Sequence, residues 1–224
     1  MKAIRSLIFC LSALLLVGST LRAQDLSKYR GLSLGENLGS VLKFSGQKLA
    51  DVKTIHTRPM LMQELVWWQP NSSGSSGQRD NVDQMVLSFA DGELYKISVT
   101  YDQSSMEGLT ASDIVQSISA KYGPATGVES EIDPAMNARY NMKAEVVASW
   151  ADSRFSFDLV RTSYSNYFGL VIYAKKINTD VELATAEALK LEEQERPSKE
   201  AVEKQKAADV LEVTREKNQK SFRP

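Results

Sequence analysis

One cysteine and one histidine in 224 residues exclude several chemistries at the outset. Cys10 has no second cysteine for an internal disulfide, and cysteine-rich zinc sites and clustered-histidine metal sites lack their ligands. Charge of one sign is missing too. The 27 basic residues stand against 28 acidic ones, a formal charge of −1, so the chain carries no electrostatic footprint for nucleic acid or anionic lipid. No metal or cofactor is implied. What remains is 42% hydrophobic and 25% charged, an ordinary globular composition.

Long apolar runs are also absent. The only sustained one, Ser6 to Gly18, is thirteen residues, short of the about 20 a helix needs to cross a bilayer core. Preceded by Lys2 and Arg5 and followed by a polar stretch ending at Ala23, it reads as a secretory signal over residues 1–23. Cys10 sits inside the apolar run after Phe9, so it is read as a residue of the signal rather than a lipidation point. Removing Lys2, Arg5 and Arg22 leaves 24 basic against 28 acidic residues and a mature charge of −4. The expected address is the periplasm or the medium, with no transmembrane segment in the mature chain. A cysteine-free exported protein of this length must be held by its apolar core.

Two helices frame the next part, which spans 24–177. Ser33 and Glu36 have the spacing of a capping box, Leu34, Leu38, Val41 and Leu42 follow at helical intervals, and Gly46 suits the left-handed residue past the end. Thr110 with Asp113 repeats the box, Ile114, Val115, Ile118 and Tyr122 form the stripe, and Gly123 and Pro124 stop it. Ser33 to Thr110, Glu36 to Asp113 and Gly46 to Gly123 are each 77 residues apart, which predicts a repeat. Three alternating runs follow each helix: Leu61–Trp68, Val82–Phe89 and Glu93–Tyr101 in the first unit, Glu145–Trp150, Arg154–Val160 and Tyr167–Ala174 in the second. Asp91-Gly92 and Asp152-Ser153 are the tight turns, and Asn71 to Asn81 is a Gly/Ser-rich loop. On alternation, Tyr95, Ile97, Val99 and Tyr101 share one strand face. The expected fold class is α+β: two tandem units of a helix plus a three-stranded meander, about 29–103 and 108–177, forming one sheet covered by helices.

The remainder, 178–224, is a charged helical tail. From Thr179 to Pro224 it has 9 basic and 11 acidic residues and no glycine. Val181, Ala184, Ala188 and Leu191 make one short coiled-coil-like seam that Pro197 interrupts, which leaves self-association through the tail as one expectation and a solvated helix as the other.

The segments "LSLGENLGSVLKFSG" and "LTASDIVQSISAKYG", with the strands behind each, resemble two families of tandem or single αβββ exported modules. One is the small outer-membrane-assembly lipoproteins of the BamE (SmpA/OmlA) type, and the other is the secreted β-lactamase inhibitor proteins. The resemblance covers most of 29–176 and implies the fold alone, with no functional residue to carry over. The chain lacks the lipidated cysteine of the first family and the disulfides of the second.

Two chemistries remain open to a chain with this residue inventory. His56, beside Arg58, would serve as a general base only with a hydroxyl and a carboxylate from elsewhere, and otherwise reads as a surface or strand-edge histidine. Glu64 next to Trp67 and Trp68, paired with Asp83 or Asp158, would be the two-carboxylate arrangement of an envelope glycan hydrolase. The loop from Asn71 lacks the Gly-Lys-Ser/Thr ending of a phosphate loop, and Asp133 to Met142 lacks calcium-loop spacing. The leading expectation is a non-catalytic module that binds another envelope or secreted protein through its sheet. The contact candidates are the aromatics Trp67, Trp68, Tyr95, Tyr101 and Trp150, with Tyr167 and Tyr173 behind them.

Overall fold

A computed structural model describes residues 25–68, 81–127, 144–162 and 168–223. Residues 1–23, expected to be a secretory signal, the Gly/Ser-rich loop up to residue 80, the stretch from Asp133 to Met142 and Tyr167 lie outside the described residues. The chain runs β1 (Lys28–Tyr29), β2 (Leu32–Ser33), α1 (Leu38–Ser45), a single 3-10 turn, then β3 (Val52–His56), β4 (Met62–Trp68), β5 (Val82–Ala90) and β6 (Glu93–Tyr101). It continues with α2 (Gln103–Met106), α3 (Ala111–Tyr122), β7 (Ala144–Ala151), β8 (Phe155–Thr162), β9 (Phe168–Ala174) and α4 (Lys175–Ser221).

The result is an α+β fold with one large antiparallel sheet and a long C-terminal helix. Seven strands lie in the order β3-β4-β5-β6-β9-β8-β7, one more than the six apolar runs predict. The extra strand is β3, whose half-exposed "VKTIH" carries too few large apolar residues to announce itself. It pairs with β4 as a short edge strand, in which the exposed Lys53 faces solvent as edge strands commonly arrange. At the opposite edge, Gly127 bridges Ser149 of β7.

Local chemistry explains the turns. Asp91 and Gly92 are both left-handed, as a two-residue hairpin between right-twisted strands requires, and Asp91 Oδ1 also accepts from the Leu61 amide at 3.0 Å. Thr110 Oγ1 accepts from the Asp113 amide while the Asp113 carboxylate accepts from the Thr110 amide, the reciprocal cap expected for α3. The matching expectation for α1 fails. Ser33 belongs to β2, Gly35 turns the chain with φ +91°, and α1 starts later, capped by Asn37, whose Oδ1 accepts from the Ser40 amide. Ser33–Glu36 has box spacing, but the φ of Gly35 precludes a helical turn through it.

Strand alternation sorts the side chains onto two faces. One face, with Leu65, Leu87, Ile97, Leu170, Phe157 and Trp150, meets α1, α3 and the β1–β2 hairpin in the main core. From α3 it receives Ile114, Ile118 and Tyr122 at i, i+4 and i+8. Burial of each such side chain stabilises by about 1.5–3 kcal/mol. The predicted grouping of Tyr95 with Ile97, Val99 and Tyr101 is corrected here. A bulge shifts the register between Ser88↔Lys96 and Phe89↔Leu94, so Leu94 takes the core face and Tyr95 goes to the other.

On that other face Tyr95, Met62 and Ala90 are covered by Val181 and Ala184 of α4. The seam residues Val181, Ala184 and Ala188 are thus buried within the chain. The helix begins at Lys175, directly after β9, crosses the sheet and continues as an arm in which every residue from Arg196 to Arg223 is exposed. Residues 196–221 would extend about 39 Å at 1.5 Å per residue. Pro197 lies within the helix, where it has no N–H to donate to the Glu193 carbonyl. Among the described residues no helix is long and apolar enough to cross a membrane.

Candidate protein-binding surface

The five aromatic candidates end in different places because strand parity and coverage act on each separately. Trp150, at 1% exposure, is in the core: its Nε1 donates to the Gly123 carbonyl at 2.8 Å and its ring meets Phe157 edge-on at 6.1 Å. Tyr101 is buried on the same face, where desolvation and the neighbouring Tyr29 push its phenol far above the ordinary range. Tyr95 is buried beneath α4, and desolvation pushes its phenol up to about 12. Trp67 is half-buried against the main core. Trp68 points the opposite way and is 57% exposed. The second-rank Tyr173 is half-buried at the margin of a small valine cluster on the α4 face.

Trp68 does not stand alone. Val66, two residues back on the same face, is 37% exposed. Register places Val66 in a row with Val86, Ser98 and Val171, and Trp68 in a row with Gln84, Thr100 and Gly169. Gly169 is fixed by sterics, since a Cβ there would lie 2.5 Å from the Val99 carbonyl oxygen. Beside this bare backbone, Val160, Val171 and Val146 form the valine cluster. Helix α4 contacts Met62 at the far end of β4, about 13 Å along the strand from Val66; at the near end Val66 and Trp68 are exposed, while Val86, Val171, Val160 and Val146 beside them are buried. The surface combines the Trp68 ring, a β-branched neighbour and polar Gln84 and Thr100.

Where α4 leaves the sheet it is latched by polar side-chain contacts. His56 Nδ1 lies 2.9 Å from Glu192 Oε1, with the imidazole nearly buried at the end of edge strand β3. Arg58 pairs with Glu195, which Lys199 also reaches at 3.0 Å, and these two cations hold the Glu195 carboxyl below its ordinary range, Lys199 first. The lone histidine is therefore a strand-edge residue whose carboxylate partner is 136 positions away, a distance no sequence window spans.

The two-carboxylate arrangement is not assembled from Glu64. Its row runs Glu64, Ser88, Lys96, Tyr173, Ser156 across β4, β5, β6, β9 and β8. Asp158 is thus four strands away, about 19 Å, beyond the roughly 5–9.5 Å that glycoside hydrolysis uses. Asp83 is five residues along β5 from Ser88, about 16 Å. Asp158 is instead nearly buried and accepts from the hydroxyls of Ser149 and Ser156.

No known protein family, curated protein or solved structure matches this chain.

Proposed function

We propose that this is a non-catalytic, exported protein-binding module, which docks a second envelope or secreted protein on the Val66–Trp68 end of the open sheet face. The carrying observation is Trp68: a tryptophan at 57% exposure on β4, beside an exposed valine, past the point where β3 stops pairing with the strand and at the opposite end of β4 from the Met62 that α4 covers. Tryptophan is the side chain most enriched among binding hot spots, and a strand-held one costs little entropy to immobilise. The exposed arm of α4, carrying Val202, Val210 and Val213, is a second contact or a self-association element.

The module reads as two tandem units. Supporting this, β4-β5-β6 and β7-β8-β9 are each consecutive antiparallel meanders with a helix earlier in the chain, α1 being separated from the first by edge strand β3, and they adjoin through their last strands β6 and β9. The helices have diverged, with 8 residues and an asparagine cap in α1 against 12 and a threonine box in α3. A duplicated sheet gives a wide, stiff platform, which suits a binding rather than a catalytic role.

Site-specific photo-crosslinking tests the reading. A photoreactive phenylalanine at position 68 of the full chain, irradiated with the envelope fraction, is expected to yield one defined protein adduct that the same probe at Ser117, exposed on α3, does not. Identical adducts from both positions, or none from 68, would overturn it. A chain ending at Arg196 keeps the docked part of α4, so an adduct retained there assigns binding to the sheet and one lost assigns it to the arm.

A further inference from the structure

The face of α4 that docks on the sheet does not stop where the sheet stops. Stepping three or four residues at a time from Val181, Ala184 and Ala188, it passes Glu192, Glu195 and Lys199 and continues through Val202, Lys206, Val210 and Val213. The sheet covers the first three residues. Past Arg196 every residue is exposed, and the valines at 202, 210 and 213 are 53%, 67% and 68% open to solvent.

The charges change character at the same point. Up to Lys199 the helix holds ion pairs of its own, among them Lys176–Asp180 at 2.7 Å and Lys199–Glu195 at 3.0 Å. From Glu200 to Arg223 no charged side chain has an ion-pair partner among the described residues, although Glu200 with Lys204 and Glu216 with Lys220 have the four-residue spacing for one. Asp209 accepts from the Gln205 side-chain amide through Oδ1 at 2.8 Å.

These charges fit a second copy of the same arm running the other way. In a two-fold pair, when residue i faces j, j also faces i. Pairing two antiparallel arms about the point between Ala207 and Ala208 sets Val202 opposite Val213, Lys206 opposite Asp209 and Lys199 opposite Glu216, each of them twice. The like-charged pair in this register is Glu203 with Glu212, which stand about two and a half turns apart and so on opposite sides of the helix, where they cannot both face the contact. By the same spacing from Lys206, Pro197 lies on the side away from the contact. A parallel pair in register would instead set Lys199 and Lys206 each against its own copy, which repels.

We infer that α4 is a dimerisation element: the arms of two copies pair antiparallel over residues 199–216, an overlap of about 26 Å, with the valines along the contact and the Lys206–Asp209 pairs fixing the register. So few valines bury little apolar surface. The expected dimer is therefore weak, half-formed at on the order of tens of micromolar, and the chain is a monomer at about one micromolar. This pairing rests on the self-association role of the arm and does not involve the sheet surface.

Sedimentation equilibrium of the full chain from about 1 to 500 µM tests the pairing, and the mass is expected to rise from one chain to two across that range. Lys206→Glu and Asp209→Lys should each weaken the dimer about tenfold, and the two together should restore it to within about threefold of the parent. All three variants change only exposed side chains, so their circular dichroism should match the parent. Register is read by disulfide trapping in a Cys10→Ser background: chains with Val202→Cys and chains with Val213→Cys should cross-link to each other on mixing and far less to themselves. A monomer at every concentration, single charge changes without effect, a double variant no better than the singles, or 202–202 cross-links as abundant as 202–213 would each overturn the pairing. A different protein trapped on the arm of a monomeric chain would overturn it as well. Capture at position 68 is unaffected by any of these results, so the pairing and the docking surface fail separately.

Discussion

The two faces of the sheet are made by the same strands in alternation, yet they have different work. The face under α1 and α3 is an unbroken apolar layer in which Leu65, Leu87, Phe157 and Trp150 are almost wholly shielded. The opposite face mixes Val66 and Trp68 with Ser88, Ser98 and Asp158, and α4 covers only one end of it. Trp67 and Trp68, adjacent in sequence, fall on different sides of this division, one packed against core and the other open to solvent. Apolar character alone does not separate a residue that holds the fold from one left open to solvent. Coverage by another element does, and coverage is a property of tertiary structure.

Substitutions on the two faces sharpen the contrast. The largest effect is expected at Trp150→Ala, which empties a filled core position and removes the bond to Gly123: a loss of about 4 kcal/mol, read from the urea midpoint. Val181→Asp, which puts a charge where α4 docks, should cost about 3 kcal/mol, whereas Val202→Asp on the exposed arm of the same helix should fall within about 0.5 kcal/mol of the parent. Equal costs for these two would show that the docked and projecting parts of α4 are not distinct.

A smaller effect is expected in alkali. Burial raises the Tyr95 phenol from 10.0 to about 12, so between those values the folded chain keeps a proton that the unfolded chain gives up. The stabilisation is complete below pH 10 and is lost as the pH rises towards 12. Tyr122 behaves alike. Tyr95→Phe should flatten the fall in melting temperature across that window, and an unchanged slope would mean that α4 does not seal the phenol from water.

Much of the sheet was legible in the sequence because its signals are local. Alternation located six strands to within two residues, Asp91-Gly92 announced its hairpin, and Thr110 with Asp113 announced the start of α3. The parts that were not legible depend on distant partners or on one residue's backbone. The φ of Gly35 moved the α1 cap from Ser33 to Asn37, and a single bulge sent Tyr95 to the other face. In the tail, Val181, Ala184 and Ala188 have the spacing of a coiled-coil seam, but spacing does not reveal whether the partner is a second helix or the chain's own sheet. For the candidate surface, the sequence offered five aromatics with Trp67 or Trp68 first because adjacent strand residues point opposite ways, and only the packing of α1, α3 and α4 distinguished Trp68 from the rest.

The most direct test of this division of labour is the Trp68→Ala chain, assayed for unfolding and for capture of the protein that crosslinks at position 68. An exposed side chain on a finished sheet predicts a stability change below about 1 kcal/mol together with loss of capture. Capture retained at parental strength, or a destabilisation approaching that of Trp150→Ala, would contradict the account.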